Sequence, residues 1–400
     1  MIAKKQHFNQ TLERFNVGTI GHVDHGKTTL SLAISKVSFK HFTDFNSTSN
    51  SLQNINEIDN APEEQKRGIT INSAVIEFTT NKRHYSLVDM PGHERYIKNM
   101  IQGLSQVQTV ILVISAEEQR IMPQTKEHLL ITNKMLKIKR LIVFWNKVEL
   151  NPEELEIKQF QLEDELQKLG FDLANVKMFF GSALEAVNGV EKYERVVQEM
   201  LQYLDTIESD PLNLDDDFLM PISKVHNIKG IGTVLAGRIE RGVVRLEDKL
   251  EIVGFVDKPI QVSVKGLEMF KKTMDVCRHN DNVGILVRYD KKNLPTRGQM
   301  LCTINSVKLI NRLKCKIYLF TNEFGGRKSG IKRTFSPQFY FKTLDVTGYF
   351  ELSENEQLLP GEEKELIVNF YEKIGVLNGW TFCIREGSET IGSGQVIEVL

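Results

Sequence analysis

Gly21-His22-Val23-Asp24-His25-Gly26-Lys27-Thr28 is the stretch that decides the fold of this chain. It fits G-x-x-x-x-G-K-[ST], the pattern of loops that bind the phosphates of nucleoside triphosphates. The apolar residues 15–20 before it predict a buried strand, and residues 29–34 after it predict the start of a helix. A strand, a loop and a helix N-terminus in this order place backbone N–H groups around one point that attracts phosphate. We expect Lys27 to reach the outer phosphates and Thr28 to ligate Mg²⁺; the alternative is a chance glycine-rich turn.

Composition indicates a globular protein of two or three domains in 400 residues, with 41% hydrophobic and 26% charged residues. Because 51 basic residues balance 52 acidic ones, any nucleic-acid surface must be a local patch. The four cysteines form no C-x-x-C pair, which argues against a zinc knuckle or a disulfide framework and fits a reducing compartment. The N-terminus lacks the apolar core of a secretory signal, and no apolar run approaches the roughly 20 residues of a membrane span. We therefore expect no association with a membrane.

Strand-like and helix-like runs alternate from residue 15 to about residue 204, which predicts a doubly wound, mostly parallel α/β sheet with its ligand at the carboxyl ends of the strands. The predicted strands are residues 16–20, 71–78, 85–88, 110–114, 141–145 and 176–180. The predicted helices are residues 28–37, 96–104, 124–135, 153–169 and 189–203. The polar residues 39–60 lack periodicity and predict either a functional loop or a disordered segment.

An acidic, proline-containing linker at residues 208–217 separates this region from short β runs bounded by glycines. We expect two all-β barrels after it. The predicted domains are residues 1–209, a nucleotide-binding domain, and residues 210–306 and 307–400, the two barrels.

Two further stretches fit the phosphate end of the site. Asp89-Met90-Pro91-Gly92 follows a predicted strand, so the acid can hold Mg²⁺ through water and the glycine can offer its N–H to a γ-phosphate. Thr70, in Arg67-Gly68-Ile69-Thr70, can give Mg²⁺ a second hydroxyl only while the γ-phosphate orders its loop, which predicts a switch. His93 comes next and is placed to orient the attacking water; the alternative is a solvent-facing histidine at a helix start.

Two other stretches fit the base. Asn146-Lys147-Val148-Glu149 follows a predicted strand at the position of a base-reading loop, and Ser182-Ala183-Leu184 would supply backbone N–H groups. Each stretch alone could be an ordinary turn. Five of them in the correct order, four directly after predicted strands, indicate a GTPase-type site that binds GTP or GDP with Mg²⁺.

The chain resembles elongation factor Tu of the bacterial type along essentially its whole length. In the first region the resemblance rests on Gly21 to Thr29, on residues 58–72, and on Pro91-Gly92-His93, residues 96–100 and Met122-Pro123-Gln124-Thr125. In the later regions it rests on residues 237–242, Asn282-Val283-Gly284, Gly325-Gly326-Arg327, residues 337–341 and residues 345–348.

The resemblance implies a GTPase that carries aminoacyl-tRNA to the ribosome, with a nucleotide-binding domain and two β-barrels. It assigns His93 as the catalytic histidine, flanked by the apolar pair Val23 and Ile69. Thr28 and Thr70 become Mg²⁺ ligands, and Asp89 holds the ion through water. The nucleotide site would comprise residues 21–29, 89–93, 146–149 and 182–184.

The same resemblance implies tRNA contacts and protein partners. Lys98 and Asn99 would lie near the tRNA 5′ end, Arg327 near the acceptor and T-stem surface, and Asn282 would be a further tRNA contact. A guanine-nucleotide exchange factor of the elongation factor Ts type would bind a monomer. The site of action would be a bacterial cytoplasm or the interior of an organelle.

The sequence departs from the family pattern in places. The base-reading motif ends in Glu149 where the family has Asp, and Glu118-Gln119-Arg120-Ile121 replaces an Asp-Gly turn. In the second domain, residues 221–226, which include Ser223, Lys224 and His226, replace a stretch with two acids and an aromatic, and Ile231 replaces an arginine. Two alternatives therefore stay open: the GTPase subunit of a sulfate-adenylylating enzyme, and a degenerate binding protein without turnover.

Overall fold

The computed structural model describes residues 12–42, 70–136, 140–148, 152–209, 211–269, 272–290 and 293–400. Contacts divide the chain into a first unit within Thr11–Asp210 and a second within Pro211–Leu400. In these described ranges no helix is both long enough and apolar enough to cross a membrane.

The first unit contains a six-stranded sheet. Its strands are β1 Glu13–Ile20, β2 Ala74–Thr79, β3 Arg83–Asp89, β4 Thr109–Ser115, β5 Leu141–Asn146 and β6 Val176–Phe180. Their spatial order is β2-β3-β1-β4-β5-β6, and every pairing is parallel except that of β2 with β3. The residues of β4 are all buried, as expected for a parallel strand covered on both faces. The predicted doubly wound sheet is confirmed.

Among the described residues of this unit, six α-helices accompany the sheet: α1 Lys27–His41, α2 Ile97–Leu104, α3 Pro123–Leu136, α4 Pro152–Lys168, α5 Ala183–Val187 and α6 Glu191–Leu204. The amphipathic spacing of α6 buries Val197, Met200, Leu201 and Leu204 against the sheet. The sequence did not predict α5, a helix of five residues that is too short to show a period. Gly189, with φ +86°, separates α5 from α6, so the predicted helix at residues 189–203 starts two residues later.

The second unit begins with a β region that pairs into one large sheet and one small one. Its strands are β7 Leu219–Pro221, β8 Lys224–Ile228, β9 Gly232–Arg238, β10 Val243–Arg245, β11 Lys249–Val253, β12 Ile260–Met269, β13 Lys272–Met274, β14 Val276–Arg278, β15 Asn282–Tyr289 and β16 Met300–Thr303. The large sheet runs β7-β16-β11-β12-β15-β9-β8, with β13 added on β12, and β10 pairs with β14. A single bridge between Leu219 and Arg241 joins the start of β7 to the segment after β9.

A closed six-stranded barrel follows, as predicted for the last domain. The strands of this region are β17 Leu309–Leu319, β18 Ile331–Lys332, β19 Gln338–Phe341, β20 Leu344–Phe350, β21 Gln357–Leu358, β22 Glu363–Gly375, β23 Thr381–Glu386 and β24 Glu389–Val399. The barrel closes in the order β17-β22-β20-β19-β23-β24. Its interior is packed by aromatic rings, among them Phe339, Phe341, Phe370 and Phe382.

Candidate nucleotide site

The loop between β1 and α1 has a backbone that only certain residues adopt. Gly21 and Gly26 have φ values of +142° and +89°, and Asp24 has φ +60°. A Cβ on Gly21 would lie 2.2 Å from the carbonyl oxygen of Val113, so glycine is required there on steric grounds as well. No side chain caps the N-terminus of α1 in the described part of the chain. The first N–H groups of α1 can therefore donate to a bound anion.

Lys27 opens α1 and is buried. Its Nζ donates to the carbonyl oxygen of His22 at 2.7 Å. Burial lowers the pKa of Lys27 to about 8, although the carboxylates of Asp89 and Asp24 oppose that shift. A buried ammonium is stabilised by an adjacent anion, so a phosphate chain is the ligand that this position favours.

Asp89 ends β3, is fully buried, and accepts hydrogen bonds from three hydroxyls. Thr28 Oγ1 donates to Oδ2 at 2.7 Å, while Thr19 Oγ1 and Ser31 Oγ donate to Oδ1 at 2.6 and 3.2 Å. Burial raises the pKa of Asp89, and the three hydroxyls together with Lys27 oppose that rise. The sequence predicted that Asp89 and Thr28 both serve Mg²⁺, and the structure places the two side chains in hydrogen-bond contact. The sequence missed Thr19 and Ser31, which reach Asp89 through the pairing of β1 with β3 and the position of α1.

Thr70 contacts the hydroxyl cluster around Asp89 through Thr28. Its Oγ1 lies 3.1 Å from Thr28 Oγ1. The two hydroxyls and the nearby carboxylate form the all-oxygen environment that suits Mg²⁺, which also takes water and substrate phosphate as ligands. Within the described ranges no group of three or more His, Cys, Asp or Glu side chains is placed to hold a metal ion. Ile69, predicted to flank the catalytic histidine, lies outside the described residues.

The segment after Thr70 is held by α2. The amide of Asn99 donates to the carbonyl oxygen of Ile71 at 2.8 Å, and Ser73 Oγ donates to the carbonyl oxygen of Asn99 at 3.2 Å. These bonds explain why the predicted strand at residues 71–78 begins only at Ala74. In this structure the Asn99 side chain is engaged in positioning the segment of Thr70.

Gly92 packs directly on the phosphate loop. A Cβ at this position would lie 2.3 Å from Lys27 Nζ and 2.6 Å from the carbonyl oxygen of Gly21. The next residue, His93, is half-buried and begins a 3-10 turn, Glu94–Tyr96, where its Nδ1 accepts from the N–H of Arg95 at 3.2 Å. His93 thus follows directly on Gly92, the residue that packs beside Lys27.

The base-reading loop is joined to the phosphate loop through Asn146. Its Nδ2 donates to the carbonyl oxygen of His25 at 2.8 Å, and its Oδ1 accepts from the N–H of Ala183 at 2.8 Å. Ser182 caps α5 by accepting from the N–H of Glu185 at 3.3 Å. The three predicted segments around residues 25, 146 and 183 are therefore in contact. Val148 is half-buried and Leu184 exposed, whereas Glu149 lies outside the described residues.

Two buried histidines lie at this part of the site: His25, predicted as part of the phosphate loop, and His128, which the sequence did not predict. His25 Nδ1 lies 3.3 Å from the carbonyl oxygen of Val113, and Nε2 lies 3.6 Å from Glu118. Burial lowers the pKa of His25 to about 4 and that of His128, on α3, to about 3, helped by nearby Lys27. Thr125 and His128 are both buried and lie on one face of α3, and the sequence alone offered no signal that this polar face is buried.

The predicted tRNA contacts are spread over both units. Lys98 is half-buried on α2 in the first unit, and Asn282 opens β15 opposite Arg238 in the second. Arg327 stacks 4.3 Å over the ring of Phe335 and forms an ion pair with Glu386. Because Glu386 neutralises part of its charge, Arg327 should contribute less to phosphate binding than an unpaired arginine.

The residues that depart from the family pattern also have defined surroundings. Ser223 is buried and donates to the carbonyl oxygen of Ala236 at 2.9 Å, whereas Lys224 and His226 are exposed on β8. Ile231, in the turn between β8 and β9, is 60% exposed. The structure gives the first of these a structural role and leaves the other three on the surface.

A glycine-bounded loop with a buried lysine, a hydroxyl-ligated aspartate and an asparagine that bridges to a second loop define a nucleotide-binding GTPase of the P-loop class. Comparison with family models identifies it further. The model "Elongation factor Tu GTP binding domain" matches residues 12–209, "Elongation factor Tu domain 2" matches residues 232–302, and "Elongation factor Tu C-terminal domain" matches residues 306–400. The chain belongs to the elongation factor Tu family and is a translation elongation GTPase.

Proposed function

We propose that this protein binds aminoacyl-tRNA in its GTP form, delivers it to the ribosomal A site and hydrolyses GTP there. The ribosome would stimulate hydrolysis, and an exchange factor of the elongation factor Ts type would replace GDP afterwards. The site of action would be wherever its ribosomes reside, a bacterial cytoplasm or the interior of an organelle. Matches to models of all three elongation factor Tu domains support this role over sulfate adenylylation.

Nucleotide binding follows from the loop after β1. The N–H groups at the start of α1 would donate to the phosphates, and the Lys27 ammonium would exchange the His22 carbonyl for phosphate oxygens. Asn146 would keep the base-reading loop against His25 while the N–H of Ala183 stays fixed. When bound, Mg²⁺ would neutralise charge on the outer phosphates, held by Thr28 and Thr70 and by Asp89 through water.

The observation that carries the proposal is the contact of Thr70 with Thr28 beside Asp89. It connects the segment before β2 to the phosphate loop through side-chain oxygens. A γ-phosphate and its metal would strengthen this connection, and their loss would release it. Asn99, which holds Ile71, would transmit the change to α2.

Hydrolysis would depend on His93. Because its Nδ1 accepts the N–H of Arg95, the neutral ring carries its proton on Nε2. That N–H can donate to the attacking water or to developing charge on the γ-phosphate, which orients and stabilises rather than removes a proton. His93 would therefore act in the transition state more than in binding.

The proposal is tested by single-turnover phosphate release on programmed ribosomes. Wild-type protein should release phosphate from GTP rapidly with cognate aminoacyl-tRNA and slowly without it. Thr70→Val, which keeps the shape but removes the hydroxyl, should lose most of this stimulation, while the distant Thr206→Val should keep it. Equal release with and without aminoacyl-tRNA would rule out the carrier role.

A further inference from the structure

The segment that joins β4 to α3 is tied to the base-reading loop by side chains outside the motifs described above. Glu117 Oε2 lies 3.1 Å from Lys147 Nζ, and the hydroxyl of Ser115 donates to the same carboxylate oxygen at 3.3 Å. Lys158, on α4, donates to the carbonyl oxygen of Ala116. The hydrogen bonds of Ser115 and Lys158 therefore hold the chain around Glu117 in place beside Lys147.

Lys147 has a backbone conformation that lysine rarely adopts. Its φ is +57°, in the left-handed region, where an L side chain is strained. Such a conformation persists only where the surroundings enforce it. The flanking residues are held firmly: Asn146 bonds to His25 and Ala183, and the N–H of Val148 donates to the carbonyl oxygen of Gly181 at 3.2 Å.

The Lys147 side chain has one described restraint, the carboxylate of Glu117. Without it, the four-carbon stem would sample many rotamers, and the ammonium would have no fixed place beside the loop. The side chains of Lys147 and Glu117 are 40% and 64% exposed, so the pair contributes little to overall stability. The effect expected of the pair is to fix the position of the base-reading loop.

We propose that Glu117 is a positioning residue for the base-reading loop: it holds Lys147 so that residues 146–148 are already in their binding conformation when a guanine nucleotide arrives. This inference rests on the proposed nucleotide site. Since Ser115 ends β4 and Ala116 follows it directly, the position of the base-reading loop is set in part by a strand outside the base-reading motif.

The test is the dissociation rate of fluorescently labelled GDP, chased with unlabelled GDP, from wild-type protein and from Glu117→Gln. Because a single exposed ion pair is lost, the dissociation rate of GDP should rise about two- to fivefold. Salt screens exposed pairs, so the difference between the two proteins should shrink between 50 mM and 500 mM salt. The control is Glu191→Gln, which removes a surface pair with Arg195 on α6 that is more exposed than the pair of Glu117 with Lys147 and should leave the rate unchanged.

A double-mutant cycle shows whether Glu117 acts through Lys147. In the Lys147→Met background, Glu117→Gln should have no further effect on the rate of GDP dissociation. Thermal unfolding would check that all variants are folded. An unchanged rate in Glu117→Gln, or a full effect that persists in Lys147→Met, would overturn the inference while the proposed function stands. Failure of the wild-type protein to bind GDP would remove both.

Discussion

Replacing Gly92 by alanine tests whether the contact between this residue and the phosphate loop serves the γ-phosphate. The backbone of Gly92 lies outside the left-handed region, so alanine is conformationally acceptable there. The added Cβ would nevertheless lie 2.3 Å from Lys27 Nζ, 2.6 Å from the Gly21 oxygen and 2.9 Å from the carbonyl carbon of His22. Lysine can move its ammonium, but the two backbone atoms can only separate from Gly92.

This separation should weaken GTP binding and leave GDP binding nearly intact, because GDP has no γ-phosphate to contact Gly92. Overpacking of this kind costs about 1–3 kcal/mol. At about 1.4 kcal/mol per decade, the ratio of GTP to GDP affinity should fall about 5- to 150-fold. The ratio is measured by displacing labelled GDP from the protein with unlabelled GTP or with unlabelled GDP. Gly266→Ala, where the new Cβ would meet Leu286 at an ordinary 3.4 Å, is the control. An unchanged ratio in Gly92→Ala would refute the steric reasoning.

His93→Ala should lower ribosome-stimulated turnover by orders of magnitude and keep GDP affinity within a few fold; equal losses would make His93 structural. Lys98→Ala should weaken aminoacyl-tRNA binding and reduce its salt slope by about one, and no change in either would remove Lys98 from the tRNA surface. Glu149→Asp should tighten GDP by up to about tenfold while ADP still fails to compete; ADP competing as well as GDP would refute guanine reading by Glu149. Because burial holds the pKa of His25 at about 4 and of His128 at about 3, against about 6.5 when unfolded, the unfolded chain binds more protons below pH 6.5 and stability should fall with acid. The free energy of unfolding of His128→Gln, measured with denaturant between pH 6 and pH 4, should fall less steeply with acid than that of the wild-type protein, by about 1.4 kcal/mol per pH unit. An equally steep fall in both proteins would contradict a neutral buried ring.

Much of the first unit could be predicted because periodicity and glycine placement report local structure directly. The strand before Gly21, the acid that ends β3 and the asparagine that ends β5 were all predicted at the positions where the structure has them. In parallel sheets the carboxyl ends of the strands meet at one edge, so a linear order of motifs becomes one site.

The contacts that a local pattern does not encode were missed. Thr19 and Ser31 reach Asp89 only because β1 and β3 are paired and α1 starts beside them. His128 is buried beside the phosphate loop by the packing of α3, and a single sequence does not distinguish such a histidine from an exposed one. The tie between Asn99 and Ile71 likewise depends on the position of α2, so the sequence predicted a strand where the structure has a tethered segment outside the sheet.

Protection of the aminoacyl ester tests most directly whether the GTP form of this protein carries aminoacyl-tRNA. Spontaneous deacylation of aminoacyl-tRNA would be followed with equimolar protein loaded with a non-hydrolysable GTP analogue or with GDP. We expect that the GTP-analogue form slows deacylation many-fold, that the GDP form does not, and that Thr70→Val abolishes the difference. Equal deacylation rates with both nucleotides, in a preparation shown to bind both, would contradict it.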